Sequence, residues 1–161
     1  MTDIALVYRQ STASADFAMS AGSLLTDDGL ETAMIVSLFT DRRARADDPL
    51  PYAGADRRGW WGDVANDDDA DEIGSRLWLL EREKMTVAVA TRARDYVVEA
   101  LSWMITDQVV HSVDVETAIV PISAQHPLGA LAIGVTLTRP DGPARERYDF
   151  IWSATERNLA A

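Results

Sequence analysis

The strongest hydrophobic pattern in the chain lies between Thr86 and Asp107, in the stretch TVAVATRARDYVVEALSWMITD. Apolar side chains recur there every three or four residues, which is the period of a helix with one buried face. The pattern predicts one long helix. Its predicted buried face consists of Ala93, Tyr96, Val97, Ala100, Leu101, Met104 and Ile105.

Three later stretches alternate apolar and polar residues, at 109–120, 130–138 and 147–152. A period of two is typical of a strand with one buried face. The core-facing positions are predicted to be Val109, Val113, Val115, Ile119, Leu131, Ile133, Val135, Leu137, Tyr148, Phe150 and Trp152. RPDGPA, between the last two strands, contains the Pro and Gly of a turn. We therefore predict a single α+β domain over 1–161, with an antiparallel C-terminal meander covered by the long helix.

The N-terminal part carries shorter patterns. IALVYR predicts a short strand, followed by the polar linker QSTASAD and a second extended piece within FAMSAGSLL. Asp28 and Glu31 resemble a capping box before LETAMIVSLFT, which predicts a helix, with a buried strand as the alternative for MIVSLF. The predicted apolar face of this helix contains Leu30, Ala33, Met34, Ser37 and Leu38, broadened by Ile35 and Phe39. SRLWLLEREK predicts a short helix that buries Leu77, Trp78 and Leu80.

The segment 40–74 has little periodicity and is rich in Pro, Gly, Asp and Arg. So long an irregular loop is uncommon in a compact domain and is usually functional or disordered. Tyr52, Trp60 and Trp61 argue against disorder, because disordered segments are poor in aromatic residues. In DRRGWWGD the adjacent indoles cannot both face one small core from an extended backbone. We therefore expect one indole to pack inward and the other to need a different partner.

The composition narrows the class of protein. The net charge of −11 opposes general attraction to nucleic acid, whose phosphates bind basic surfaces. Lys84 is the only lysine and the other basic residues are arginines, which favour planar contacts with carboxylates and aromatic rings. The chain has no cysteine, no signal-peptide pattern at its start and no apolar stretch long enough for a membrane span. These features predict a protein that matures in a cytoplasm.

Motifs for metal binding and nucleophilic catalysis are weak or missing. His111, predicted on the apolar face of a strand, and His126, predicted in a turn, show no metal-ligand spacing. The first, third and fifth places of a calcium-binding loop are matched by Asp67, Asp69 and Asp71. Its sixth and twelfth places hold Glu72 and Trp78, where the loop needs Gly and a bidentate Glu. We therefore predict a solvated acidic turn, with no metal and no cofactor.

A glycosidase would need two carboxylates beside a cleft, one of them with a raised pKa. The candidates near the tryptophans are Asp41, Asp56 and Asp63. We favour the alternative that these carboxylates pair with nearby arginines, which would lower their pKa. The arginines Arg42, Arg43, Arg45, Arg57 and Arg58 could in principle grip phosphates, but ion pairs with the interspersed aspartates are the favoured interpretation.

Several sequence blocks, in order from about Asp16 to Trp152, resemble the small baseplate wedge protein of Mu-like contractile-tailed phages. The specific blocks are LFTDRRA and DRRGWWGD, accompanied by DDPLP, GSRLWLLEREK, RPDG and RYDFIW. This group is similar in turn to the lysozyme-like small wedge proteins of T-even phages and of related contractile injection machines. Those relatives carry a Glu-Pro-Arg motif after the long helix, where this chain has DQVVHSV, so their detailed contacts are not transferred.

The resemblance implies a structural protein of the tail baseplate that is not an enzyme. It implies assembly in the host cytoplasm, in multiple copies around the tail axis. The implied partners are a larger baseplate-J-type wedge protein, the central hub and spike, and the tail sheath, which attaches here first. The implied fold is a helix-covered sheet related to a domain of the sheath protein.

Partner contacts are assigned, as a hypothesis from this resemblance, to four arginines and two tryptophans, because these residue types are enriched among interface anchors. The arginines are expected to hold the irregular segment together and to reach carboxylates of a partner, and they are Arg42, Arg43, Arg57 and Arg58. Trp60 or Trp61 is expected to anchor against a neighbouring subunit. A second predicted contact is strand addition by the sheath, at the N-terminal strand or the outer strand of the meander. The alternative for the two indoles is that both cap the protein's own sheet edge. Two alternatives for the function of the chain are a peptidoglycan-cleaving lysozyme-like hydrolase and an assembly chaperone that is absent from finished tails.

Overall fold

The computed structural model describes residues 3–9, 14–27, 30–52, 54–65, 72–127, 129–140 and 145–153. Its N-terminal strands are β1 (Asp3–Ile4), β2 (Leu6–Arg9), β3 (Ser14–Phe17), β4 (Met19–Ser20), β5 (Ser23–Leu24) and β6 (Thr26–Asp27). The elements that follow are α1 (Glu31–Phe39), α2 (Val87–Ala100), α3 (Ser102–Thr106), β7 (Ser112–Val120), β8 (Ala130–Thr138) and β9 (Glu146–Ser153). Short 3-10 helices cover Trp61–Ala65 and Leu77–Leu80. This mixture of helices and antiparallel strands confirms the predicted α+β class.

The predicted meander is confirmed, because the last three strands form one antiparallel sheet in the order β7-β8-β9. Alternate side chains of each strand point to one face, and that face shares a core with α1 and α2. The predicted core positions that are buried in the sheet are Val115, Leu131, Ile133, Val135, Leu137, Phe150 and Trp152. Most of the predicted turn RPDGPA lies outside the described residues.

Two residues predicted on the apolar face, one in β7 and one just before it, are exposed instead. Ile119 is exposed because α2 begins beside the middle of β7, where Thr117 Oγ1 donates to the carbonyl of Ala90 at 2.9 Å. The strand continues past the first turn of the helix, so its far end is not covered. His111 is exposed just before β7, and its backbone amide donates to the carbonyl of Thr138.

The predicted long helix is divided into two. α2 begins after Thr86, whose side chain accepts a hydrogen bond from Val89 N and caps the helix. The helix is interrupted at Leu101, which has φ −99° and ψ 1°, and α3 follows as a short helix. The break shifts the helical register, so Met104 remains buried while Ile105, predicted to be buried, is 47% exposed.

The predicted helix over LETAMIVSLFT is confirmed and the alternative of a buried strand is wrong. α1 buries Met34, Ile35, Ser37 and Leu38, in addition to Thr32. The predicted capping residue Asp28 lies outside the described residues. The carboxylate at the start of the helix is that of Asp27, whose Oδ2 accepts a hydrogen bond from Thr32 N at 2.9 Å.

Residues 3–9 and 14–27 form an N-terminal arm of three two-stranded ribbons, β1–β6, β2–β3 and β4–β5. The ribbons meet at a ring of three backbone hydrogen bonds. Ala5 N donates to Leu25 O at 2.9 Å, Leu25 N to Ala18 O at 2.9 Å, and Ala18 N to Ala5 O at 2.8 Å. The predicted strand over IALVYR is therefore interrupted at Ala5, and part of the predicted linker belongs to β3.

The predicted free edge of the N-terminal strand is already occupied at Ile4 and Leu6. One side of this strand pairs with β3 and β6. On its other side, Thr32 Oγ1 accepts from Leu6 N at 3.1 Å and donates to Ile4 O at 3.3 Å. A partner strand would therefore have to displace Thr32 of α1 to pair with the strand at Ile4 and Leu6.

Candidate partner-binding site

The irregular segment 40–74 begins and ends at the same point of the fold. Arg42 N donates to Ser75 O at 2.9 Å, and Ser75 N donates to Thr40 O at 2.9 Å. Gly74 makes this closure possible, because its φ is +105° and a Cβ atom there would lie 2.4 Å from Thr40 O. The two ends of the segment, which we call the insert, are therefore hydrogen-bonded neighbours.

Arg58 attaches the middle of the insert to the 3-10 helix Leu77–Leu80. Its guanidinium lies 4.4 Å from the ring centre of Trp78, and Nη1 donates to Asp41 at 2.8 Å and to Glu81 at 3.0 Å. Burial alone would lower the pKa of Arg58, but the hydrogen bond to Glu81 and the charges of Asp41 and Glu81 outweigh it and raise the pKa. This arginine therefore faces inward and remains charged.

Arg76 forms a second and more deeply buried attachment of the same kind. Its Nη1 donates to both carboxylate oxygens of Asp48 at 2.8 and 2.9 Å, while Nη2 and Nε donate to Glu99 at 2.7 and 3.0 Å. The guanidinium also lies 4.6 Å from the ring centre of Tyr96. Burial opposes the charge of Arg76, but the hydrogen bonds to Glu99 and Asp48 prevail and raise its pKa.

Sequence reasoning did not single out Arg76. The available signal was a single cation next to the apolar run LWLL, all of which is buried. A charged residue in a buried run must be paired, because an unpaired buried charge is very unfavourable. The partners were not identifiable, since Asp48 and Glu99 lie 28 and 23 residues away in sequence.

The other predicted arginines differ in their surroundings. Arg42 Nε donates to Glu72 at 2.9 Å, and Arg57 donates to backbone carbonyls of the insert, including that of Ala46 at 3.1 Å. Arg43 is exposed, and within the described residues its guanidinium makes no hydrogen bond or ion pair. Arg42, Arg57 and Arg58 thus hold the insert together, whereas Arg43 points its charge to the surface.

The expectation that one of the tandem indoles packs inward is wrong. Trp60 is 38% exposed and Trp61 is 81% exposed, with ring centres 5.4 Å apart. The apolar space beneath the insert is already filled by Trp78, which is buried with Ala44 and donates from Nε1 to Arg42 O at 2.8 Å. Both rings of the tandem pair therefore remain at the surface, with Trp61 largely in solvent.

The backbone turn that carries the tandem indoles is held by several contacts. The ring of Trp60 lies directly against Gly62, where a Cβ atom would be 2.1 Å from the ring. The 3-10 turn is fixed to the end of the insert by Asp63, whose Oδ1 accepts from Ile73 N at 3.3 Å. With Arg58 bonded to Asp41 and Glu81 on the preceding side, the turn that carries Trp61 is held by hydrogen bonds on both sides.

The candidate carboxylates of a hydrolase have other partners or lie in solvent. Asp41 bonds to Arg58, Asp63 accepts from the amide of Ile73, and Asp56 is exposed. The calcium-loop positions Asp67, Asp69 and Asp71 lie outside the described residues. Among the residues that the structure describes, no group of three or more His, Asp or Glu side chains is arranged to hold a metal ion.

Comparisons with known proteins identify relatives over most of the chain. The family model described as phage protein GP46 matches residues 30–144. The baseplate protein gp46 of Escherichia phage Mu is 44% identical over 142 residues, which cover 88% of this chain and 90% of the relative. The Mu-like prophage FluMu protein gp46 of Haemophilus influenzae is 34% identical over 147 residues, covering 91% and 94%. No solved structure matches the chain.

In the described part of the chain, no helix has the length and apolar character to cross a bilayer.

Proposed function

The chain belongs to the family of phage protein GP46, and from this membership we propose that it is a structural protein of a phage tail baseplate. Within the baseplate it forms the wedge together with a larger baseplate-J-type protein, around the hub and spike. It also gives the tail sheath its first attachment point. The chain acts in these roles by binding other proteins, in several copies around the tail axis.

The observation that supports the wedge role is the exposure of Trp61 on a fixed turn. Tryptophan is usually well buried, and exposed indoles on rigid backbone are typical anchors of protein interfaces. Arg43 lies beside this surface. A Cβ atom placed on Gly59, the residue before Trp60, would be 3.0 Å from the Cβ of Arg43. Trp60, Trp61 and Arg43 together form the proposed anchor surface, in which the guanidinium binds a carboxylate of the wedge partner.

Replacing Trp61 by alanine is expected to leave the free energy of unfolding within about 0.5 kcal/mol of wild type, because the ring is largely in solvent. Incorporation of the folded chain into purified tails should fall by about 30-fold, the effect of losing an interface anchor worth about 2 kcal/mol. Quantitative mass spectrometry of tails measures this ratio. Ile122→Ala, at another exposed apolar position, serves as the control and should be incorporated normally. Normal incorporation of Trp61→Ala would contradict the wedge contact.

Sheath attachment is supported by the free edge of β9. At the opposite edge of the sheet, Arg94 Nε donates to Val115 O at 3.0 Å, so α2 occupies that edge. This carbonyl points away from β8, and backbone groups alternate in direction along antiparallel strands. From the register of the sheet, the β9 amides that point away from β8 are those of Arg147, Asp149, Ile151 and Ser153. Within the described residues these amides have no backbone partner. A strand of the sheath protein extends the sheet at this edge.

Ile151→Pro tests this contact with little expected effect on the fold, since proline is tolerated where the amide of an edge strand faces outward. The variant should keep its circular dichroism spectrum, and the number of sheathed tails should fall about tenfold through the loss of an intermolecular backbone hydrogen bond and the local fit around it. Ile151→Ala keeps the amide and should support normal sheath attachment. Normal sheath assembly on a folded Ile151→Pro chain would refute strand addition at β9.

A further inference from the structure

A groove of about 320 Å³ lies between α1, the junction of α2 and α3, and the last residues of the insert. One wall contains Ala33 and Val36 of α1, and the opposite wall contains Trp103. Ile73 of the insert forms part of the third side. An apolar cavity of about 150 Å³ is already large enough to hold a benzene molecule, so this groove has room for a bulky side chain.

The apolar walls of the groove are accessible and fixed. Val36 is 38% exposed and Trp103 is 37% exposed. The indole of Trp103 donates from Nε1 to Ser37 Oγ of α1 at 3.1 Å, which fixes the ring relative to α1. The groove is therefore formed before a ligand arrives, which lowers the cost of binding.

The charge that is left unpaired at the groove is negative. The lining contains Asp3, Glu72, Glu99 and Arg42. Glu99 is paired with Arg76 and Arg45, and Glu72 is paired with Arg42, so Asp3 is the lining carboxylate that makes no ion pair within the described residues. The whole chain has a net charge of −11, so the surrounding field has the same sign. A positively charged partner is favoured at such a surface, whereas an acidic partner is repelled.

The position of the groove connects it to the anchor surface. Ile73, which lines the groove, donates its amide to Asp63 in the 3-10 turn that begins with Trp61. On the other side, α1 contributes residues from successive turns, Ala33 and Val36 with Ser37. A groove bounded by helices accepts an amphipathic helix through its apolar residues, while strand addition needs a free strand edge.

We propose that this groove binds a basic amphipathic helix of another tail protein, with one bulky apolar side chain inserted between Val36 and Trp103. A lysine or arginine beside that side chain lies against Asp3, whose carboxylate makes no ion pair within the described residues. This inference rests on the proposed baseplate function and adds the chemistry of the partner. It makes the groove a second contact, linked to the anchor surface of Trp60, Trp61 and Arg43 through the hydrogen bond from Ile73 to Asp63.

The first test compares two valines that are almost equally exposed on helices, Val36 in the groove at 38% and Val98 on α2 at 39%. Val98 does not line the groove. Val36→Lys places a cation in the apolar wall and should reduce the amount of chain in purified tails at least about tenfold. Val98→Lys should be incorporated as wild type. Equal incorporation of the two lysine variants would overturn the proposal.

The second test identifies the occupant and does not depend on a destabilising change. A photo-cross-linking phenylalanine analogue is placed at Val36 or at Val98, and assembled tails are irradiated and analysed by mass spectrometry. The expected product joins position 36 to a peptide of another tail protein that has lysine or arginine beside an apolar residue at helical spacing. A product with an acidic peptide, with an extended strand or with a second copy of this chain would overturn the proposal.

The two tests also separate failure of the groove from failure of the baseplate function. If the chain is abundant in purified tails but position 36 gives no cross-link, the groove proposal is wrong and the baseplate function stands. If the wild-type chain is absent from tails, the baseplate function itself is wrong. Recovery of the same peptide from the Val98 position would show that the reaction is not specific to the groove, and this also overturns the proposal.

Discussion

Replacing Arg76 by alanine is expected to lower the free energy of unfolding by about 3–5 kcal/mol, the usual cost of removing one partner from a buried ion pair. The side chains of Arg76 and Asp48 are each only 10% exposed, and Glu99 is 20% exposed. Without the guanidinium, the buried carboxylate of Asp48 loses its ion pair, Glu99 keeps only the exposed Arg45, and the ring of Tyr96 loses its stacked cation. Urea denaturation followed by fluorescence measures the change.

The matched control is Arg147, which also bridges two carboxylates but does so on the exposed face of the sheet. It donates to Glu116 at 3.1 Å and to Asp149 at 3.0 Å, with its side chain 52% exposed. Arg147→Ala should leave the unfolding midpoint unchanged, because exposed ion pairs contribute little. Arg76→Lys should recover only part of the loss, since an ammonium cannot make the forked bonds or the stacking contact. Similar midpoints for Arg76→Ala and Arg147→Ala would contradict the proposed role of the buried pair.

The second large effect is expected from Gly74→Ala. The change forces an L-residue to φ +105° and brings its Cβ to 2.4 Å from Thr40 O, an atom that belongs to the backbone and cannot rotate away. The strained conformation costs about 1–3 kcal/mol, and the displacement needed to relieve the contact costs a similar amount. We expect a total loss of about 3 kcal/mol in the free energy of unfolding, measured by urea denaturation.

Gly54→Ala separates these two contributions. Gly54 has a φ of +76°, and a Cβ atom there would meet nothing within 4 Å. Its replacement should therefore cost only the backbone strain, about 1–2 kcal/mol. If the two alanine variants lose the same stability, the close contact with Thr40 O does not contribute and the closure of the insert tolerates a side chain.

The sheet and α2 could be predicted from the sequence because each buries one face over many residues. Alternation along β8 located Leu131, Ile133, Val135 and Leu137 in the core without knowledge of the rest of the fold. The helix interruption at Leu101 was not predictable, because the apolar period continues across it. Local periodicity reports which face is buried, but not where the backbone stops being helical.

The candidate site could be located from the sequence but not assembled. Tyr52, Trp60 and Trp61 argued against disorder in the insert, because disordered segments are poor in aromatic residues. Which arginines are internal depends on carboxylates distant in sequence, such as Glu81, 23 residues from Arg58. The exposure of both tandem indoles could not be predicted from the neighbouring sequence either, because it results from Trp78 filling the space under the insert. The roles of Trp60, Trp61 and Arg43 in binding remain predictions.

The closed base of the insert has a consequence for how relatives of this chain can diverge in length. Thr40 and Ser75 are already neighbours, so a related protein could lose the whole insert by deletion and connect these two positions with a short turn. That loss would strip the cover from Trp78 and Leu79, which are buried in a small cluster with Ala44. Relatives that lack the insert are therefore expected to have polar residues at the positions of Trp78 and Leu79. Relatives that keep apolar residues at these two positions should also keep the insert.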